Sequence, residues 1–94
     1  MLNPRKIDLS EIKSSFFIER DSLINQEAKR SRLEKLRKAS IHCNREHQTI
    51  GIMTTLISGE VVEVHSDFIE CTDDFVQLND GVIIPMRAIV DVDY

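Results

Sequence analysis

From Ser22 to Lys38 the apolar positions recur at helical spacing: Leu33 and Leu36 lie three apart, and Leu23 sits three turns back near the same face. Glu27, Ala28, Lys29, Arg30, Leu33, Glu34, Lys35 and Leu36 are good helix formers, and Asp21 or Ser22 offers an oxygen to cap the first turn. The stripe is thin, so the helix rests on something rather than forming a core itself. After Ala39 the period becomes two. In Ser40-Ile41-His42-Cys43-Asn44, Ile41 and Cys43 share one face, which predicts a strand ending at an Arg45-Glu46 turn. Thr49–Ile57 is rich in β-branched residues and predicts a second strand, with Gly51 marking a bend or a close backbone approach. Ser58-Gly59 punctuates before Glu60–Val64, where Val62 and Val64 share a face, and Ser66-Asp67 breaks the chain again before Phe68–Thr72.

The sharpest local signal is Phe75-Val76-Gln77-Leu78, then Asn79-Asp80-Gly81, then Val82-Ile83-Ile84. A short Asn/Asp/Gly connection between apolar runs predicts a tight hairpin. Pro85 should end that strand or sit at an edge, because it lacks an amide hydrogen. Met86-Arg87-Ala88 reads as a single helical turn, and Ile89–Tyr94 closes with Val90, Val92 and Tyr94 on one face. Five to seven short strands joined by short turns mean mostly antiparallel pairing. The predicted fold is α+β and mainly β: an arm over residues 1–21, then a single domain over 22–94, with a helix at 22–38 and a small barrel at 39–94. Within the arm, Ser10–Lys13 could start a short helix. Phe16-Phe17-Ile18 is too apolar to stay exposed, so it is expected to dock on the body or on another chain.

This order of elements resembles the Sm-like small β-barrel. Ile41-x-Cys43 followed by Gly51-Ile52-Met53 is similar to the first Sm strand pair, and Gly81-Val82-Ile83-Ile84 through Ala88-Ile89-Val90-Asp91-Val92 is similar to the closing half. Within that class, Leu33-Glu34 and the run from Leu78 to Val92 look like the bacterial Rho-binding antiterminator type. Small bacterial proteins associated with DNA-repair polymerases end in a similar strand pattern. The resemblance spans roughly residues 33–94. It implies an N-terminal helix followed by a small Sm/SH3-like antiparallel β-barrel, and an acidic barrel that docks on a nucleic-acid-binding protein. Fold alone does not carry function.

Charge changes the picture most. The formal net charge is −4, but it is split. Residues 1–49 carry eleven Lys and Arg against seven Asp and Glu, and residues 50–94 carry one (Arg87) against nine. The densest positive run spans Lys29, Arg30, Arg32, Lys35, Arg37 and Lys38. It reads as a solvated helix face, a phosphate-binding strip, or a dock for the acidic half of a second copy. A chain of 94 residues is too short for a two-domain enzyme with an interdomain cleft. Its apolar runs are too short to span a bilayer, which argues against a membrane partner. The Met1–Lys6 start has no apolar stretch behind its charges, so no signal peptide is expected. With two cysteines, this points to the reduced cytoplasm.

His42, Cys43, His47, His65 and Cys71 are the metal-ligand types, but no C-x-x-C or H-x-x-x-H pair exists, so no metal and no cofactor are expected. Cys43/His47 and Cys71/His65 are the nucleophile–base pairings to weigh, yet no Gly-rich elbow accompanies them. The expectation is therefore a non-enzymatic regulatory adaptor, with Glu60, Glu63, Asp73, Asp74, Asp91 and Asp93 as acidic contacts to a basic, nucleic-acid-binding type of protein partner. Lys29, Arg30, Arg32 and Lys35 form the opposite-signed strip. The alternative is Sm-like single-stranded RNA binding through that strip, as a homo-oligomer.

Overall fold

A short helix, a long helix and seven strands in two sheets make up the protein in a computed structural model that describes residues 4–94. Met1–Asn3 of the arm lie outside the described residues. In chain order the elements are β1 (Arg5–Lys6), α1 (Leu9–Lys13), α2 (Gln26–Glu46), β2 (Ile50–Thr55), β3 (Val61–Ser66), β4 (Ile69–Cys71), β5 (Phe75–Leu78), β6 (Ile83–Pro85) and β7 (Ile89–Asp93). The larger sheet has the order β1-β3-β2-β7 and the smaller β4-β5-β6. The class is α+β, as the patterning predicts. Neither sheet closes on itself.

The helix departs from its predicted bounds at both ends. Asn25, not Asp21 or Ser22, caps it: the Asn25 side chain accepts the Ala28 amide at 2.6 Å. The segment 40–44, expected as a strand, continues the helix to Glu46, where His47 ends it in the left-handed region (φ 56°, ψ 36°). The reason is visible in the burial. Arg32, Leu36, Ala39 and Cys43 form one buried stripe at spacings of four, three and four, whereas Ile41 is 59% exposed. The apparent alternation of Ile41 with Cys43 is a coincidence of two residues.

The core lies between α2 and the inner faces of the two sheets. Ile50, Ile52, Val62 and Val64 fill it from the larger sheet, and Ile69, Val76, Leu78 and Ile84 fill it from the smaller. Each such buried side chain contributes roughly 1.5–3 kcal/mol. The hairpin between β5 and β6 forms as predicted. Asp80 (φ 62°) and Gly81 (φ 72°) take successive positive φ values, and the Val82 amide returns to the Asn79 carbonyl at 3.3 Å. Pro85 ends β6, and Met86–Ala88 makes a 3-10 turn into β7. The expected Val90-Val92-Tyr94 stripe fails at both ends: the register of β7 on β2 slips between Met53 and Thr54, which displaces Val90, and Tyr94 lies past the end of β7. Ile52 then faces Val92, Val90 is only half-buried, and Tyr94 is 49% exposed beside His42.

The arm is built into the body. β1 pairs in parallel with β3 (Arg5 opposite Val62, Lys6 opposite Glu63). Asp8 caps α1 by accepting the Glu11 amide, and Ile12 is buried. Phe17 bridges to Leu56, and the Ile18 amide donates to the Thr55 carbonyl at 3.2 Å. Phe17 and Ile18 are half-buried, but Phe16 stays 74% exposed. Asp21 then fastens the connection to α2 through Arg32.

Candidate functional site

The predicted basic strip does not stay together. The 3.6-residue repeat turns Arg32 inward with Leu36, while Arg30 points to the opposite side of the helix. The Arg32 guanidinium, 5% exposed, grips both Asp21 oxygens at 2.8 and 3.0 Å and donates to the Ile89 carbonyl at 3.0 Å. Burial would push the Asp21 carboxyl up. The hydrogen bonds from Arg32 and the Leu23 amide, with the Arg32 and Lys29 charges, outweigh it and hold Asp21 below the ordinary carboxylate range. Lys35 reaches Asp91 at 3.2 Å, Lys29 is half-buried, and Arg30 is exposed. Two of the four strip residues thus serve as intramolecular partners.

The six predicted acidic contacts fall in three places. Glu60, immediately before β3, is clasped by Arg5 through Nε at 3.1 Å and a terminal nitrogen at 3.2 Å. Those hydrogen bonds hold the Glu60 carboxyl below its usual range. Glu63, Asp91 and Asp93 share the outer face of the larger sheet. Strand register sets Asp91, Met53, Glu63 and Lys6 in one row, and Asp93, Gly51 and His65 in the next. The Glu63 carboxylate contacts His65 Nε2 and lies over Gly51, where a Cβ would meet Glu63 Oε2 at 3.2 Å and His65 Nε2 at 3.4 Å. This is the close approach that Gly51 signals. Asp73 and Asp74 sit on the β4–β5 turn. Asp73 pairs with Arg37 at 3.0 Å, and Asp74 remains exposed and unpaired among the described residues.

These contacts neutralise much of the charge split within the chain. Arg5, Lys35 and Arg37, all from the basic half, engage Glu60, Asp91 and Asp73 of the acidic half. The last two pairs are largely exposed, so each contributes at most about 1 kcal/mol. Among the described residues, the carboxylates of 50–94 without a Lys or Arg partner are Glu63, Asp67, Glu70, Asp74, Asp80 and Asp93. Four of them surround the smaller sheet. Glu70 stands on β4 opposite Gln77, which stands opposite Ile83 on β6, and this row faces outward. Ile83 is 52% exposed, with Phe75 and Pro85 half-buried in the adjoining row. Asp67 accepts from the Asn79 side chain, and Lys13 donates to the Asp80 carbonyl at 2.8 Å. The smaller sheet therefore presents an apolar centre whose rim carries four carboxylates and, on the Asp80 backbone, the Lys13 ammonium. Glu70, Asp67 and Asp80 are absent from the predicted contact set. The alternation of Ile69-Glu70-Cys71 and of Val76-Gln77-Leu78 already carries the signal for the outward row.

Both cysteine thiols are pushed above their ordinary range. Cys43 is buried with its Sγ 4.0 Å from the Ser66 carbonyl, and burial together with the Asp67 charge pushes its thiol up. Burial also raises the Cys71 thiol; Arg37 opposes the shift and Asp73 adds to it. Among the described residues no cluster of three or more His, Cys, Asp or Glu can hold a metal ion, and no helix is long and apolar enough to cross a membrane. One cleft of about 280 Å³, lined by Ile18, Arg20, Asp21, Ser22, Ile24 and Thr55, lies where the arm crosses the larger sheet. Comparison with protein-family models, with curated proteins and with solved structures finds no match to this chain.

Proposed function

We propose that this protein is a non-enzymatic adaptor that uses the outer face of its smaller sheet, Glu70, Asp74 and their neighbours around Ile83, to dock on a cationic protein surface. The observation that carries the reading is the distribution of unpaired charge. Lys and Arg partners neutralise Glu60, Asp73 and Asp91, and of the six carboxylates in residues 50–94 left without one among the described residues, four (Asp67, Glu70, Asp74 and Asp80) lie around one small apolar patch. Such a face steers a basic partner electrostatically and gives it an apolar anchor, so binding is fast and salt-sensitive. A surface that otherwise holds nucleic acid has the matching chemistry, which is the role that the antiterminator-type resemblance implies.

In this reading the two sheets are halves of a small Sm/SH3-like barrel. It is supported by the direct passage of the chain from β3 into β4 over Asp67-Phe68, and by the 3-10 turn at Met86–Ala88 that returns β7 to β2. Of the four strip residues, the RNA-binding alternative keeps Lys29 and Arg30, since Arg32 is buried and Lys35 is paired with Asp91. The test is capture from nuclease-treated native extract on the immobilised protein. Basic proteins should be retained at ~0.1 M salt and lost at ~0.5 M. E70K/D74K should abolish capture while E63Q leaves it intact. Capture unchanged by E70K/D74K, or lost on nuclease treatment alone, would refute the reading.

A further inference from the structure

The solvent face of α2 offers a surface of the chemistry that the smaller sheet fits. Opposite the buried stripe, the helical repeat brings Arg30, Glu34, Lys38, Ile41 and Arg45 to one side. Lys38 and Arg45 make no ion pair among the described residues, and Ile41 between them is 59% exposed. An isoleucine between Lys38 and Arg45 on the helix thus matches an isoleucine on the sheet whose row runs through Gln77 to Glu70. The two surfaces also adjoin. Asn44 Nδ2 donates to the Ile69 carbonyl at 2.8 Å, Ser40 Oγ to the same carbonyl at 3.3 Å, and Arg37 reaches Asp73. The flank of α2 that carries Arg37, Ser40 and Asn44 therefore runs along β4, an edge strand of the smaller sheet, so the cationic face of the helix and the outer face of that sheet meet along this edge.

We infer that the cationic surface docked by the smaller sheet is the α2 face of a second copy of this chain, in an isologous dimer. Side-by-side patches of opposite sign are self-complementary under a two-fold rotation. Lys38, Ile41 and Arg45 of one copy then meet Glu70, Asp74 and Ile83 of the other, and the same contact recurs on the far side of the axis. A closed arrangement satisfies both patches on both copies and leaves no sticky end. The inference rests on the docking role proposed for the smaller sheet and names its occupant. It also makes self-association a competitor of any other basic partner.

The test is sedimentation equilibrium of the full chain at ~100 µM in 0.05 M and 0.5 M salt, with circular dichroism to verify folding. The wild type should dimerise at low salt and dissociate at high salt. K38E/R45E and E70K/D74K should each weaken dimerisation at least about tenfold. An equimolar mixture of the two variants should dimerise again, because each reversed patch then faces its complement. A wild type that stays monomeric at low salt, a dimer unaffected by either reversal, or a mixture that stays monomeric overturns the inference. A labelled oligo-uridine bound by that monomer and released by K38E/R45E would assign the helix face to nucleic acid instead. Failure of dimerisation with capture still lost in E70K/D74K would overturn only the second-copy assignment; failure of both would overturn the docking role as well.

Discussion

Removing Asp21 should harm this protein more than removing Arg32, although the two form one ion pair. Arg32 is 5% exposed and Asp21 is 24% exposed. In D21A the guanidinium stays in the interior with only the Ile89 carbonyl, at 3.0 Å, as a partner. A stranded buried charge costs about 3–5 kcal/mol. In R32M the aliphatic volume is largely kept, and Asp21 rehydrates while still accepting the Leu23 amide at 2.8 Å. The main loss is then the unpaired Ile89 carbonyl, about 1–3 kcal/mol. At roughly 0.05–0.15 kcal/mol per residue, a chain of this size holds about 5–14 kcal/mol, so D21A removes a large share. One kcal/mol corresponds to about 4–8 °C here, which predicts a Tm drop of at least roughly 12 °C for D21A and a smaller one for R32M.

Thermal and urea unfolding followed by circular dichroism at pH 7 gives both numbers. R32M losing as much stability as D21A, or D21A losing less than about 1 kcal/mol, would refute the account of this pair. The pH dependence supplies a second check. Because the folded Asp21 carboxyl sits below its ordinary value, its contribution is present above the unfolded value near ~4 and fades as pH falls through the depressed folded one. The advantage of wild type over R32M should therefore shrink in acid.

The remaining expectations concern single side chains. Replacing Ile12, the buried side chain of α1 in the arm, by Ala should cost about 2–4 kcal/mol, while I24S, at a position 95% exposed, should change unfolding free energy by less than about 0.5 kcal/mol. Equal effects would mean that the arm is not part of the body. Gly51→Ala places a Cβ 3.2 Å from Glu63 Oε2, a side-chain end that can shift, so its effect in urea titration should stay within about 1 kcal/mol. Gly81→Ala forces an L side chain into φ 72° and should cost about 1–2 kcal/mol. With a thiol reagent at pH 7, native Cys43 should be protected until unfolding and Cys71 should label more slowly than a free cysteine; rapid labelling of Cys43 would contradict its burial.

Much of the β-rich region is legible because its signals are local and redundant. Val62 with Val64, the Asp80-Gly81 turn and the stop at Pro85 each combine an apolar period with a residue of restricted or permissive backbone. The helix C-terminus is not legible, because Ser40–Asn44 satisfies both periods and only the packing of Ala39 and Cys43 against the core decides between them. Val90 is misread because a bulge leaves no trace in side-chain type, and Tyr94 because the strand stops at Asp93. The charged sites are half legible. The sequence displays the split between halves, but the pairing of Lys35 with Asp91, of Arg37 with Asp73 and of Arg5 with Glu60 joins residues more than thirty positions apart. Nor does a list of cations reveal that Arg32 serves as a buried clamp. Helical geometry, once applied to 29–35, does predict that these four cannot share one face.

The central claim, that the smaller sheet is the docking surface, is tested most directly by amide chemical-shift mapping. The basic partner recovered by capture would be titrated into isotope-labelled protein at low salt. The account predicts perturbations concentrated at Glu70, Asp74, Gln77 and Ile83, reversed by raising the salt. Perturbations centred on Gly51, Glu63, His65 and Asp93 of the larger sheet, with β4, β5 and β6 unmoved, would contradict it.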